Sequence, residues 1–548
     1  MLDIPAILNV DSYKTHHVKQ YSPHTEKVYS TWTPRKSRIE GIDKVVVFGL
    51  QYFIKDYLID SFNKTFFNRP KEEVMKEFLR VARHFGVKDV SNFEALHDLG
   101  YLPLKICALE EGTLCPIRVP MFTIENTIPE FYWLTNFVET IMSTEIWKPM
   151  TSATIALQYR KIVEKWAEKT CDDKNHINFQ CHDFSYRGMA GSDAGCSSSA
   201  GHLLSFKGTD TIPAVLWLEK YYNANCDDEF IATSIPATEH AVAETNINEK
   251  QDAIKNTTDI PLENITNAKD LDDNDQRLLA ERLYFERLLD IYPSGIFSYV
   301  ADTYNLWEVL NYILPLLKDR IMERDGKVVI RPDSGDPCDI ICGLNTKDET
   351  LEMEKIIGKS FIESHVGNYV QQEYKGVIEL LWDVFGGTIN SKGYKVLDSH
   401  IGCIYGDAIT MERAEEICRR LEQKGFASSN IVFGIGSYTY NMNTRDTFGF
   451  ALKATYGVVN ANELLLYKDP ITDDGTKKSQ KGRVIVYKRD NTLHYADGLK
   501  QDEEDGVISV TNLLQPVFLD GKILKQTNLL QVRRKLREEL QDEHNYNR

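Results

Sequence analysis

Two pairs of glycines stand where a main chain can receive an anion: Gly402 and Gly406 in IGCIYGD, and Gly434 and Gly436 in NIVFGIGS. Glycine permits close approach to the backbone, and amide N–H groups at a helix start favour negative charge. A GxG pair alone is weak evidence, so its chemistry depends on what surrounds it. Charge of the right sign is available in two short clusters, TPRKSR at Thr33 to Arg38 and TKKSQKGR at Thr476 to Arg483, each of which also reads as a solvated face. Any phosphate must be held locally, because a formal charge of −17 opposes a polyanionic partner such as nucleic acid. Metal chemistry has no comparable signal. The ten cysteines are scattered, and Cys338 and Cys342 lack a second pair or a histidine at zinc-site spacing, so reduced structural thiols are expected.

The elements that must carry these turns begin near residue 176. INFQCHDF, FIATSIP, GIFSYVAD, KVVIRPD, IGCIYGD and NIVFGIGS are short apolar runs that end at polar residues, glycine or proline and alternate with helix-like segments. That is the rhythm of repeated βα units. In a βα barrel the carboxyl ends of the strands carry the active site and the last loops commonly hold a phosphate, which is where the glycines fall. The expected fold is α/β, an irregular (β/α) barrel with an active rim. A doubly wound sheet would show similar punctuation.

With 548 residues, 42% hydrophobic and 26% charged, the chain has the balance of a globular protein holding about two to four compact units. Residues 1–175 read as a mixed part, with an amphipathic helix over Pro70 to Gly86 and alternating strands over residues 101–127. Residues 176–446 form the expected barrel, and 447–548 supply strands and a helix that return to the first part. The Asn-, Asp- and Lys-rich segment 248–275 reads as a surface excursion, since it offers little apolar area to bury. No stretch approaches the roughly 18 apolar residues of a membrane span, and the start MLDIPAILNVDSYK has no secretory pattern, so the cytoplasm is the expected location.

DSYKTHHVKQY (Asp11 to Tyr21), HDFSYRG (His182 to Gly188), FKGTD (Phe206 to Asp210) and SIPATEH (Ser234 to His240) are followed in order by VADTYN (Val300 to Asn305), IRPDSGDP (Ile330 to Pro337), YGD (Tyr405 to Asp407), FGIGS (Phe433 to Ser437) and TRD (Thr444 to Asp446). As an ordered set they resemble the nicotinamide phosphoribosyltransferase family across most of the chain. The resemblance implies a type II phosphoribosyltransferase fold with added strand-rich and helical parts, working as a homodimer with active sites at the interface. It implies condensation of nicotinamide with 5-phosphoribosyl-1-pyrophosphate, in the presence of Mg²⁺, to nicotinamide mononucleotide and pyrophosphate in NAD biosynthesis, with ATP hydrolysis coupled to it.

Such a reaction needs no general base, because a pyridine nitrogen is already a neutral nucleophile; positioning and electrostatics must do the work. By resemblance, Phe184 supplies one face for the ring and Tyr13 of the partner subunit the other, with Asp11 beside Tyr13. Asp210 recognises the amide and repels a carboxylate, while Ser298 and Arg331 approach the amide oxygen. Asp302, Asp333 and Asp407, with Arg187, Gly406, Gly436, Ser437 and Arg445, serve the ribose and its phosphates, Ser437 standing where some members have glycine. Arg35, Lys453, Lys468 and Lys477 meet the pyrophosphate. The resemblance further implies that His240 is phosphorylated by ATP; Glu239 is a candidate to orient its ring. Two other readings remain open at this level: a nicotinate phosphoribosyltransferase, against which Asp210 speaks, and a non-catalytic binding protein on the same scaffold.

Overall fold

Runs such as KVVI, IGCIY and IVFGI are apolar on both faces, which suits strands covered on both sides by helices. The computed structural model describes residues 4–256, 271–344, 369–406, 408–472, 475, 477–507 and 512–546. In it, six parallel strands lie in the spatial order Gly208–Thr209, Cys181–Asp183, Ile431–Ile435, Ile401–Tyr405, Asp325–Arg331 and Ser294–Val300. All run the same way, so their carboxyl ends share one rim.

The sheet curls because a single irregular segment meets both of its edges. FIATSIP, expected as a strand, makes only an isolated bridge: Thr233 pairs with Gly208 at one edge, and just beyond the run Ala237 pairs with Ser298 at the other. Thr233 N donates to Lys207 O at 2.8 Å and Thr209 N to Thr233 O at 3.0 Å, while Ser298 N donates to Pro236 O at 2.8 Å and Thr238 N to Ser298 O at 3.0 Å. Pro236 has no N–H to give a regular ladder, which accounts for the broken pairing. A doubly wound sheet would leave those edges apart.

Helices fix the rim from outside. The helix Met411–Gln423 buries Ala414, Ile417, Cys418 and Leu421, one face at helical spacing, and starts where Thr410 Oγ1 accepts a bond from Arg413 N at 3.2 Å. The helix Glu139–Thr170 spans two cores: Ile141, Met142 and Ile146 pack in a strand-rich core, whereas Ala156, Tyr159 and Val163 pack under the barrel. That strand-rich core lies on a seven-stranded sheet in which Ala451–Val459 pairs with Thr25–Thr33, and Gln515–Leu519 pairs with Leu104–Ala108, so late and early segments interleave. Arg483 is buried there between the carboxylates of Glu125 and Glu504.

The expected excursion 248–275 is corrected at both ends. The helix His240–Asn256 runs into it and Asp273–Ile291 begins within it, while residues 257–270 lie outside the described residues. Ala243, Ile247 and Ile254 are buried in the same core as Leu279 and Ala280, so the few apolar residues in a polar stretch suffice to seat the helix. No helix among the described residues is long and apolar enough to cross a membrane.

Candidate active site

Six strand ends deliver the rim: Phe184 follows Asp183, Asp210 follows Thr209, Asp302 lies two residues beyond Val300 and Asp333 two beyond Arg331, and Gly406 and Gly436 follow Tyr405 and Ile435. The Phe184 ring lies against His182, with centroids 4.6 Å apart and an interplanar angle of 42°. Gly434 makes room for it. A Cβ at that position would stand 2.8 Å from Phe184 Cδ2, 2.8 Å from Tyr405 O and 2.6 Å from Gly406 Cα.

Asp210 accepts hydrogen bonds from His182 Nε2 at 2.9 Å and from the Ser234 hydroxyl. Because an ionised carboxylate only accepts, Nε2 carries the imidazole proton in this pair. Burial by itself would raise the Asp210 carboxyl, but these bonds and the positive charge of Arg331 outweigh it and hold the group below its ordinary value. Its side chain remains 48% exposed, open to the rim. Nearby, Arg331 Nη2 donates to Thr238 O at 2.9 Å, while Arg331 Nε and Ser298 Oγ are buried with no hydrogen-bond partner among the described residues. Such orphaned groups each cost about 1–3 kcal/mol, a cost that a ligand acceptor placed there removes.

On the acidic side, Asp302 Oδ2 accepts from Asp333 N at 3.0 Å and from Ser334 Oγ at 2.6 Å, whereas its Oδ1 is buried without a hydrogen-bond partner among the described residues. His240, the first residue of its helix, places Nε2 3.9 Å from Asp302 Oδ1 and 3.8 Å from Asp333 Oδ2. Its Nδ1 lies 3.3 Å from Thr303 Oγ1. Glu239, expected to orient the imidazole, makes no hydrogen bond or ion pair with it among the described residues; Thr303 holds that position. Gly406 adjoins Asp333, since a Cβ there would be 2.9 Å from Asp333 Oδ1.

Around Gly436 the backbone is open, with no atom within 4 Å of where a side chain would begin. The exposed Arg187 turn abuts it, because Gly188 packs directly against Ser437. Asp407 lies outside the described residues.

A basic cluster forms separately at the start of the helix Glu139–Thr170. Arg35 Nε donates to Gly449 O at 2.9 Å, and Arg38 N donates to Thr447 O at 2.8 Å, so the first basic cluster docks on the segment that carries Arg445. Lys453 Nζ is 3.6 Å from Glu139 Oε1, and Lys14 pairs with the other oxygen of Glu139. Burial, and after it the charges of Arg35, Lys14 and Arg445, pull Lys453 below its ordinary value against the opposing charge of Glu139. Asp11 accepts from Thr140 Oγ1 at 2.8 Å in the same region. Tyr13 is 56% exposed and its ring meets His17 at 5.2 Å; no ring contact joins it to Phe184 within the chain. Lys468 and Lys477 sit on the loop between Asn462–Leu465 and Arg483–Arg489, closed at its base where Lys468 N donates to Ser479 Oγ at 2.9 Å.

The chain thus gathers Phe184, Asp210, Ser298, Arg331, His240, Asp302, Asp333 and Gly406 on one rim, and Arg35, Arg445 and Lys453 in another group. Sequence reasoning passed over His182, Ser234, Thr238, Thr303, Ser334 and Lys14 as individual actors, although each lies inside a quoted motif. Glu139 had no signal, standing in an ordinary helical pattern. Among the described residues no group of three or more His, Cys, Asp or Glu side chains is arranged to hold a metal ion.

Residues 179–522 match the model of the nicotinate phosphoribosyltransferase (NAPRTase) family, and residues 5–106 match that of the nicotinamide phosphoribosyltransferase N-terminal domain. A nicotinamide phosphoribosyltransferase of Acinetobacter baylyi is 42% identical over 547 residues, covering 97% of this chain and 97% of its own. One from Mycoplasma pneumoniae is 33% identical, covering 87% of this chain and 94% of its own. Two solved structures share the fold at 14% identity: the nicotinate-nucleotide pyrophosphorylase of Pyrococcus furiosus, with a TM-score of 0.52 over 98% of this chain and 96% of that one, and human nicotinic acid phosphoribosyltransferase, with 0.51 over 97% and 93%.

Gly434→Ala tests whether the rim seats a flat ring on Phe184. The added methyl must displace Phe184 or the Gly406 turn, so affinity for a planar pyridine ligand, measured by calorimetry, is expected to fall roughly 10- to 100-fold. Unchanged affinity would remove Phe184 from the seat.

Proposed function

The chain belongs to the nicotinamide phosphoribosyltransferase family, and on that premise we propose that it joins nicotinamide to 5-phosphoribosyl-1-pyrophosphate, giving nicotinamide mononucleotide and pyrophosphate. The observation that carries the choice of substrate is the polar pattern beside Phe184. A carboxamide has an NH₂ to donate and an oxygen to accept; Asp210 offers an ionised acceptor, and Ser298 Oγ and Arg331 Nε are buried donors without partners among the described residues. Nicotinate would bring a second carboxylate to Asp210 and be repelled.

In this reading the ring nitrogen attacks the anomeric carbon as the bond to pyrophosphate breaks, and positive charge grows on the ribose. Asp302 and Asp333 stabilise that charge and hold the ribose hydroxyls together with Asp407. Arg187 and the amides at Gly406, Gly436 and Ser437 receive phosphate. Mg²⁺ commonly binds one or two carboxylates and completes its shell with phosphate oxygens and water, so Asp302 and Asp333 are the residues that would hold the ion entering with the diphosphate.

The reading includes a homodimer. Exposed Tyr13, apart from Phe184 in its own chain, would cover the ring bound to a second copy, and Arg35, Lys453, Lys468 and Lys477 would travel with it to the departing pyrophosphate; Arg445, expected at the ribose phosphates, stands near Lys453 and would go with them. His240, close to two carboxylates, would carry a phosphoryl group from ATP and couple its hydrolysis to synthesis. The ten unpaired cysteines fit work in a reducing compartment, here NAD salvage in the cytoplasm.

With Mg²⁺ and phosphoribosyl pyrophosphate, kcat/KM for nicotinamide should exceed that for nicotinate by on the order of 100-fold or more. Asp210→Ser should narrow the gap; equal rates in the wild type, or an unaltered preference in the variant, would sink the amide reading. The ATP step is checked by incubating the protein with γ-labelled ATP. Acid-labile label is expected on the wild type and absent from His240→Ala, and equal labelling of the two would remove His240 from that role.

A further inference from the structure

Beyond the rim itself, one helix holds the turns that the phosphate-bearing substrate would meet. Tyr159, buried on Glu139–Thr170, donates its hydroxyl to Ile409 O at 2.8 Å and lies 3.2 Å from Thr439 Oγ1. Thr439 Oγ1 is itself 3.4 Å from Ile409 O, which closes a three-group link. Ile409 lies three residues beyond Gly406, and Thr439 belongs to the short helix Ser437–Asn441 that follows Gly436. One hydroxyl therefore bridges both glycine turns.

Lys148 lies eleven residues earlier, three turns along the same helix face. Its ammonium donates to Tyr440 O in the same short helix. The group is buried and makes no ion pair among the described residues, an expensive placement for a charge, and burial pulls it down to about 8. From the other side, the Tyr440 hydroxyl lies 2.7 Å from His202 Nδ1. The first turn also holds a conformation that it would not keep unaided: Ala408 has φ of 50°, in the left-handed region that alanine rarely adopts.

We propose that Tyr159 and Lys148 are positioning residues for the sugar-phosphate end of the substrate, locking the segments 408–410 and 436–441 to each other so that both address one phosphate. The inference rests on the reading of those turns given above. Neither side chain touches substrate. Losing the Tyr159 hydroxyl leaves Ile409, beside the constrained Ala408, with the long 3.4 Å bond from Thr439 in place of the 2.8 Å one, so the two turns shift more freely, while Phe184, Asp210 and Ser298 keep the ring seat.

The intact protein and its Tyr159→Phe and Lys148→Met variants are titrated with nicotinamide mononucleotide and, separately, with nicotinamide. The variants should bind the mononucleotide roughly 10-fold more weakly and nicotinamide within about twofold of the wild type. Should Lys148→Met fail to fold, Tyr159→Phe, which removes one oxygen, decides alone. Unchanged mononucleotide affinity, or an equal loss for both ligands, overturns the positioning role. A wild type that binds neither ligand overturns the functional reading and this inference with it.

Discussion

Six parallel strands can bring their carboxyl ends to one rim, but they leave two edges of unpaired amides and carbonyls unless the sheet curls onto something. Here that something is the backbone from Thr233 to Thr238, which bonds to Lys207 and Thr209 on one side and to Ser298 on the other. The same residues supply the Ser234 hydroxyl to Asp210 and the Thr238 carbonyl to Arg331, and the chain then enters the helix that begins with His240. The segment that joins the two edges thus also fixes Asp210 and Arg331 on the rim. A one-residue slip in this segment would turn Ser234 away from Asp210 and carry His240 off its carboxylates.

The rim is built with polar groups left unsatisfied. Ser298 Oγ, Arg331 Nε and Asp302 Oδ1 are buried without hydrogen-bond partners among the described residues. Ser298 and Arg331 stand on strands and Asp302 two residues beyond one, which holds their unmet bonding capacity at the rim. Charge is separated as well: Asp302 and Asp333 face His240, whereas Lys14 and Lys453 pair with Glu139, and Arg35 and Arg445 lie close enough to Lys453 to depress its ammonium. That arrangement gives a chain of net charge −17 a local concentration of positive charge, which is what a phosphate would need.

Much of this was legible in the sequence because βα rhythm and strand-end residues are local signals. KVVI, IGCIY and IVFGI form strands where their patterns say they should, and Gly406 and Gly436 fall just past strand ends, whereas Gly402 and Gly434 lie within the strands. FIATSIP was misread because its alternation resembles a strand while Pro236 removes a ladder donor. Gly208–Thr209 is too short to have a periodicity at all. Polar composition over 248–275 hid helical ends that need only Ile254 and a few neighbours as anchors. The motifs contained His182, Ser234 and Thr303, yet their partners lie 28, 24 and 63 residues away, and no spacing rule joins residues at that distance. Interleaving of the late strands with Thr25–Thr33 was beyond local pattern for the same reason.

On the proposed reading, Asp210, Ser298 and Arg331 together read a carboxamide held against Phe184. A crystal structure with nicotinamide tests it most directly. The ring is expected on Phe184, with the carboxamide nitrogen donating to Asp210 and its oxygen accepting from Ser298 Oγ or Arg331 Nε. A ring bound elsewhere, or an amide that leaves Asp210 without a contact, would contradict it.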